Sequence, residues 1–260
     1  MRLPSLFVSH GSPMLALEDS PARRFLQDLG RNLPRPKAIV VVSAHWETMG
    51  GVAVSLASRP ETIHDFGGFP EALSDIQYPA PGAPEQALRA ATLLEQAGFA
   101  VGRAPSRGLD HGAWVPLSLM YPEADIPVAQ VSLPRALTTA EYRRMGRALA
   151  GLREDGVLII GSGSLTHNLS EFRGGPIAAP VPAWVSDFAR WLHDRLAERQ
   201  FDELLDYRRQ APFAVRNHPT EEHLLPLFVA MGAAGEAPIA ESLHASYQYR
   251  VLAMDMIAFS

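Results

Sequence analysis

The sequence predicts an α/β fold in a single domain, residues 1–260: a central mixed, largely parallel sheet flanked by helices, with a metal site at the carboxyl-terminal ends of its strands. Three observations predict it. Residues 39–42 and 157–160 are apolar and free of alternation, the pattern of strands buried on both faces. Segments with helical spacing alternate with such runs, the order that parallel pairing needs. Finally, His10, His45 and His167 each stand at or shortly after the end of a strand-like run, the edge where open α/β sheets gather their ligands.

Taken in order, residues 3–9 form the first apolar run, broken by Gly11-Ser12-Pro13. Residues 21–29 have helical spacing through Phe25 and Leu29, and Gly30 is a helix stop. Residues 38–43 and 51–56 read as strands. Residues 83–97 read as a helix, apolar at Leu88, Ala91, Leu93 and Leu94 and closed by Gly98. Residues 126–133 are again strand-like, 139–152 helical with Thr139 as cap, and 157–160 the next buried strand. Residues 184–198 make an amphipathic helix, and residues 242–259 two strands antiparallel to each other. Two stretches rich in Gly and Pro, residues 62–84 and 170–182, read as long loops of the kind that serve as lids or binding loops.

Composition narrows the function. With 47% apolar and 20% charged residues, the chain can bury a substantial core and does not have the composition of a disordered protein. A formal charge of −5 argues against a surface for nucleic-acid phosphates, which needs a clustered excess of Lys and Arg. No stretch approaches the roughly 20 apolar residues that span a bilayer, and the first apolar run is too short for a secretory signal, so a cytoplasmic location is expected. There is no cysteine. Disulfides and thiolate ligands are therefore excluded, and histidine becomes the first metal ligand to consider.

The nine histidines are not equivalent. Gly11 lets the chain turn sharply out of the first strand beside His10. His45, in Ser-Ala-His-Trp, has the same setting, and if the first and second strands are neighbours both rings face one crevice. His223 lies in His-Pro-Thr-Glu-Glu-His-Leu-Leu-Pro. There Thr220 caps a helix with Glu221 and Glu222 in its first turn, or else a short irregular turn precedes a helix starting near Pro226. For His111 and His167 alone a structural role is the simpler reading. His193 reads as a solvated residue on the polar side of a surface helix, and His244 as part of an edge strand. His64 belongs to residues 62–70, whose glycines and aromatics suit a mobile cover over an aromatic ligand.

Several motifs occur together along the whole chain: His-Gly-Ser-Pro at His10, Ser-Ala-His-Trp at His45, Thr-Ile-His-Asp-Phe-Gly-Gly-Phe-Pro at residues 62–70, Tyr-Pro-Ala-Pro-Gly at 78–82, Leu-Asp-His-Gly at 109–112, residues 163–168, and Glu-His-Leu-Leu-Pro-Leu at 222–227. In this order and spacing the chain resembles the DOPA-dioxygenase-like branch of the class III extradiol ring-cleavage dioxygenases. The resemblance implies one divalent metal per chain, held by His10, His45 and His223, with His167 as acid/base or occasional fourth ligand. It implies Fe(II) for activity, with Zn(II) also described in bacterial members, and a small catechol and O2 as partners. His111 would hydrogen-bond oxygen or substrate, and His64, Asp65 and Phe69 would contact substrate. More distant class III enzymes have a carboxylate as third ligand where this chain has His223, and a neutral three-histidine site suits Zn(II) as well as Fe(II). Two rivals use the same histidines: a zinc hydrolase with Glu221 or Glu222 as general base, and a non-catalytic metal-binding protein such as the Memo-like proteins of the same wider group. A monomer or small homo-oligomer is expected.

Overall fold

The computed structural model describes residues 2–172 and 174–260. Among the described residues, ten strands follow one another: β1 (Ser5–Ser9), β2 (Ala38–Thr48), β3 (Val52–Ser55), β4 (Val101–Ala104), β5 (Val128–Pro134), β6 (Val157–Gly163), β7 (Ala240–His244), β8 (Tyr247–Gln248), β9 (Leu252–Ala253) and β10 (Met256–Phe259). Eight form one sheet in the order β4-β3-β5-β2-β6-β1-β10-β7, and β8 and β9 make a separate ribbon. The four central strands, β5, β2, β6 and β1, are parallel. The sheet is mixed because β3 runs antiparallel to β5, and β10 antiparallel to both β1 and β7.

The unalternating runs are buried because helices cover both faces. Phe7, Val40, Val42 and Ile159 face a core built with helices Pro84–Gln96, Thr139–Leu149 and Leu225–Ala233. Their alternate neighbours Leu6, Val8, Ile39, Val41 and Ile160 face helices Pro21–Asn32 and His111–Met120. A strand between two apolar layers has no polar side to advertise, so periodicity vanishes.

Several local expectations are corrected. The first and second strands are not neighbours, since β6 lies between them. With strands about 4.8 Å apart, β1 and β2 are roughly 10 Å apart, a gap that two imidazoles leaning over the end of β6 can close. Strand β2 also runs past His45, which therefore lies inside it. Between Val42 and Glu47 the chain advances five residues against two of β5, from Val131 to Leu133. This bulge re-aims the His45 side chain, as bulges beside functional sites do. The strand β4 has no apolar run to announce it. Thr138, not Thr139, caps its helix, in a reciprocal capping box with Glu141. The loop at residues 62–84 carries a short helix, Glu71–Ser74.

Candidate metal centre

Three histidines from three parts of the chain meet at the carboxyl edge of the sheet. His10 follows β1 directly and is 1% exposed. His45 comes from the bulge of β2. His223 sits in an irregular turn just before helix Leu225–Ala233, where Pro226 occupies the first helical turn and loses nothing by lacking an N–H; of the two readings of this segment, the helix starting near Pro226 is the one observed. Glycines bring His223 to the sheet. A Cβ at Gly163 would stand 2.0 Å from the His223 carbonyl oxygen, and one at Gly161 2.2 Å from that of Pro226. Only a bare backbone admits this approach, and it lets Ser164 N–H donate to the His223 carbonyl at 2.8 Å.

The Nε2 atoms of His10 and His45 are 3.0 Å apart, and those of His45 and His223 3.3 Å. Two of the rings are oriented by a hydrogen-bond partner at Nδ1, and the third has a carboxylate nearby. The Ser162 hydroxyl donates to the Gly112 carbonyl at 2.5 Å, so its oxygen accepts the Nδ1–H of His10 at 3.0 Å. Glu222 Oε1 accepts from His223 Nδ1 at 2.8 Å, and Asp65 Oδ2 lies 3.5 Å from His45 Nδ1. With the proton at Nδ1, fixed in His10 and His223 by these acceptors and favoured in His45 by the nearby carboxylate, three Nε2 lone pairs face one point. Facing lone pairs repel, and a cation among them converts repulsion into coordination. Metal–nitrogen bonds of about 2.0–2.1 Å place neighbouring nitrogens roughly 2.9 Å apart at octahedral angles and 3.4 Å at tetrahedral ones. The observed separations span both, so the donor set fits a divalent metal and suits Fe(II) and Zn(II) alike.

Electrostatics keeps the rings neutral, as metal ligands must be. Burial, reinforced by the other histidines, holds His10 and His223 well below the usual imidazole range. Burial and His111 lower His45 to about 4, against the opposing pull of Asp110 and Asp65. Burial lowers His167 to about 4 as well, with Glu222 opposing. Asp65 goes the other way: burial raises its carboxyl, but hydrogen bonds from His111 outweigh this and hold it at about 2.

Helix His111–Met120 aims its amino terminus at the site. Asp110, fully buried, caps it and accepts hydrogen bonds from Ser43, Gln130 and Arg107 at 2.6, 2.8 and 2.7 Å. The first residue of the helix, His111, gives both its backbone N–H and its Nδ1–H to Asp65, at 3.0 and 2.9 Å. Its ring lies 3.9 Å from that of His45. The His167 ring stacks on His223 at 3.5 Å with only 9° between the planes.

Above these rings lies a cavity of about 440 Å³. His45, His111, His167 and His223 form one side; Phe66 and Phe69 from residues 62–70, with Leu169, Phe172 and Leu252, form an apolar wall. A larger depression, about 730 Å³, lies at the amino-terminal ends of β2 and β6, and its charged lining of Lys37, Glu85, Arg89 and Asp155 contains no histidine.

Of the residues singled out in the sequence, Asp65 and Phe69 line the cavity and His64 does not. His64 Nε2 instead meets the Ile76 carbonyl at 3.0 Å. His193 is not free in solvent, because its Nε2 bonds the buried Asp255 at 2.5 Å. Sequence reasoning missed Ser162, the Asp110–Gln130 pair and His218. Their signal was weak: Ser162 and Gln130 are single polar residues within apolar strands, and Asp110 and His218 flank helices, so each looks like an accident until the fold shows what it faces. The rival general bases are both engaged, Glu222 with His223 and Glu221 with the Tyr207 hydroxyl at 2.8 Å.

Residues 4–259 match the family described as the catalytic LigB subunit of aromatic ring-opening dioxygenase. The chain belongs to this family. Among relatives of the LigB family, it is 44% identical to a 4,5-DOPA dioxygenase extradiol of Beta vulgaris, over 98% of this chain and 96% of that one. It is 43% identical to a protein of the same description from Escherichia coli K12, over 92% and 88%. A crystal structure of an uncharacterized protein from Escherichia coli K12 superimposes with a TM-score of 0.81 at 35% identity, covering 99% of both chains. This LigB-family chain is thus an extradiol ring-opening dioxygenase. Among the described residues, no helix is long and apolar enough to cross a membrane.

Proposed function

We propose that the protein opens catechol rings beside their two hydroxyls at a divalent metal held by His10, His45 and His223. The observation that carries this reading is the convergence of three Nε2 lone pairs at the floor of an aromatic-walled cavity. The chemistry such a metal supplies when bound is joint binding of a catecholate and O2, with electron density passing between them.

The chain's own residues do the rest. His167, held neutral by burial beside His223, takes a phenolic proton and later returns one. His111 has given its Nδ1–H to Asp65, so its Nε2 accepts a hydrogen bond from a substrate hydroxyl and orients the ring. Asp65 serves as the anchor of His111. Phe66, Phe69 and Leu169 cover the aromatic face and exclude water. The names of the relatives support a substrate of the DOPA kind, a catechol with a short side chain. The cysteine-free chain suits the cytoplasm, acting as a monomer or small homo-oligomer.

Anaerobic reconstitution with Fe(II), followed by oxygen-electrode measurements over a panel of catechols, tests the reading. Uptake of one O2 per catechol with a yellow ring-opened product is expected. Catechols that consume no O2, or turnover of an ester or amide by the Zn(II) form without O2, would replace the dioxygenase reading with the hydrolase.

A further inference from the structure

His218 is fully buried between the Phe188 and Tyr207 rings and has no part in the mechanism above. Its Nε2 lies 2.9 Å from the Leu165 carbonyl, which can only accept, so the proton sits on Nε2. The other ring nitrogen, Nδ1, is buried with no hydrogen-bond partner. An apolar residue of similar size would fill this space without stranding a polar atom, so the donor at Nε2 is what distinguishes a histidine here.

That donor acts on the loop that carries His167. Four contacts sew residues 164–168 to residues 216–223: Ser164 N–H to the His223 carbonyl at 2.8 Å, His218 Nε2–H to the Leu165 carbonyl, His167 N–H to the Asn217 carbonyl at 3.1 Å, and Asn168 Nδ2–H to the Arg216 carbonyl at 2.5 Å. Of these, only the His218 contact uses a side chain of the 216–223 segment. It falls two residues from His167, on the segment that also delivers His223.

We infer that His218 is a positioning residue: its hydrogen bond to the Leu165 carbonyl holds the His167 ring in register with His223, in the orientation in which His167 exchanges protons with substrate. The inference rests on the reading of His167 as the proton-transfer group. The same bond leaves His10, His45 and their partners untouched, so its loss reaches proton transfer without dismantling the metal site.

The test uses the Fe(II)-loaded protein with His218→Phe, which keeps an aromatic ring but no donor, and His218→Gln, whose amide nitrogen can reach the Leu165 carbonyl. Expected for His218→Phe is a 10- to 100-fold fall in kcat, with KM and metal content each within about twofold of wild type. His218→Gln should recover most of kcat. In a His167→Gln background, adding His218→Phe should cost no more than about twofold, because the residue through which His218 acts is already gone. Wild-type kcat in His218→Phe, metal loss in proportion to activity loss, no rescue by Gln, or a full additional loss in the His167→Gln background would each overturn the inference. If His218→Phe does not fold, His218→Asn against His218→Gln takes its place, since the shorter amide falls near Nδ1 and cannot reach Leu165; equal kcat in the two overturns it. A failure of the underlying reading shows separately, as wild-type kcat in His167→Gln alone.

Discussion

At Ser162 one hydroxyl decides which nitrogen of His10 faces the site. It gives its proton to the Gly112 carbonyl and so can only receive from His10 Nδ1. Ser162→Ala should leave that ring free to turn and its tautomer unspecified, and metal affinity measured by chelator competition should fall about 10- to 100-fold; unchanged affinity would mean that packing alone orients His10. His10→Ala or His45→Ala should lose the metal outright, whereas His193→Ala, whose ring bonds Asp255 and none of the three histidines, should retain it. His167→Gln should separate holding from proton transfer. Metal content by elemental analysis is expected near wild type while turnover falls 10²- to 10⁴-fold. Metal loss as severe as in His10→Ala would make His167 a ligand and leave proton transfer to His111 or solvent.

Among the elements, residues 62–70 are tied down at one end and loose at the other. Thr62 bridges to Leu109, Ile63 N–H donates to the Leu109 carbonyl, and Trp114 Nε1–H donates to the Ile63 carbonyl. Beyond Asp65, which His111 holds, a Cβ on Gly67 or Gly68 would meet nothing within 4 Å, and Gly68 has φ +78°. Space is therefore free and backbone conformation is the constraint. The Gly67→Ala, Gly68→Ala double variant should raise KM for catechols severalfold with metal affinity unchanged; a wild-type KM would dismiss the lid. Gly163 is the opposite case, where space is the constraint. Gly163→Ala drives a Cβ against the His223 carbonyl and should lower stability by about 1–3 kcal/mol in denaturant titration, with weaker metal binding because the turn carrying His223 must back away.

For the molecule as a whole, the His193–Asp255 pair joins helix Ala183–Ala197 to the sheet just before β10. The Asp255 hydrogen bond raises His193 above the usual imidazole value, burial opposing. A raised folded-state value means that the stability from His193 is present below its unfolded value of about 6.5, down to the pH at which Asp255, itself raised by burial, takes up a proton, and is lost as pH rises through the folded value. The Tm gap between the metal-free wild type and His193→Gln should thus be largest just below pH ~6.5, on the order of 5 °C, and shrink at higher pH. A gap that is constant or grows with pH would show that the imidazolium does not stabilise the fold.

The sequence by itself determined the α/β class, the alternation of strand and helix, and the histidines worth suspecting, because burial on both faces and strand-end placement leave local marks: unalternating β-branched runs, and polar residues where those runs stop. With the resemblance of its motifs to a known family, it also named His223. Tertiary structure alone decided the rest. That β6 lies between β1 and β2, that His45 projects from a bulge, that Gly163 admits the His223 backbone, and that Ser162 meets the His10 ring and Asp65 the His111 ring across long stretches of chain are all facts of long-range packing. Hydrophobic periodicity records only whether a side chain is buried. Which neighbour it is buried against depends on strand order and on backbone contacts that form once the chain has closed on itself.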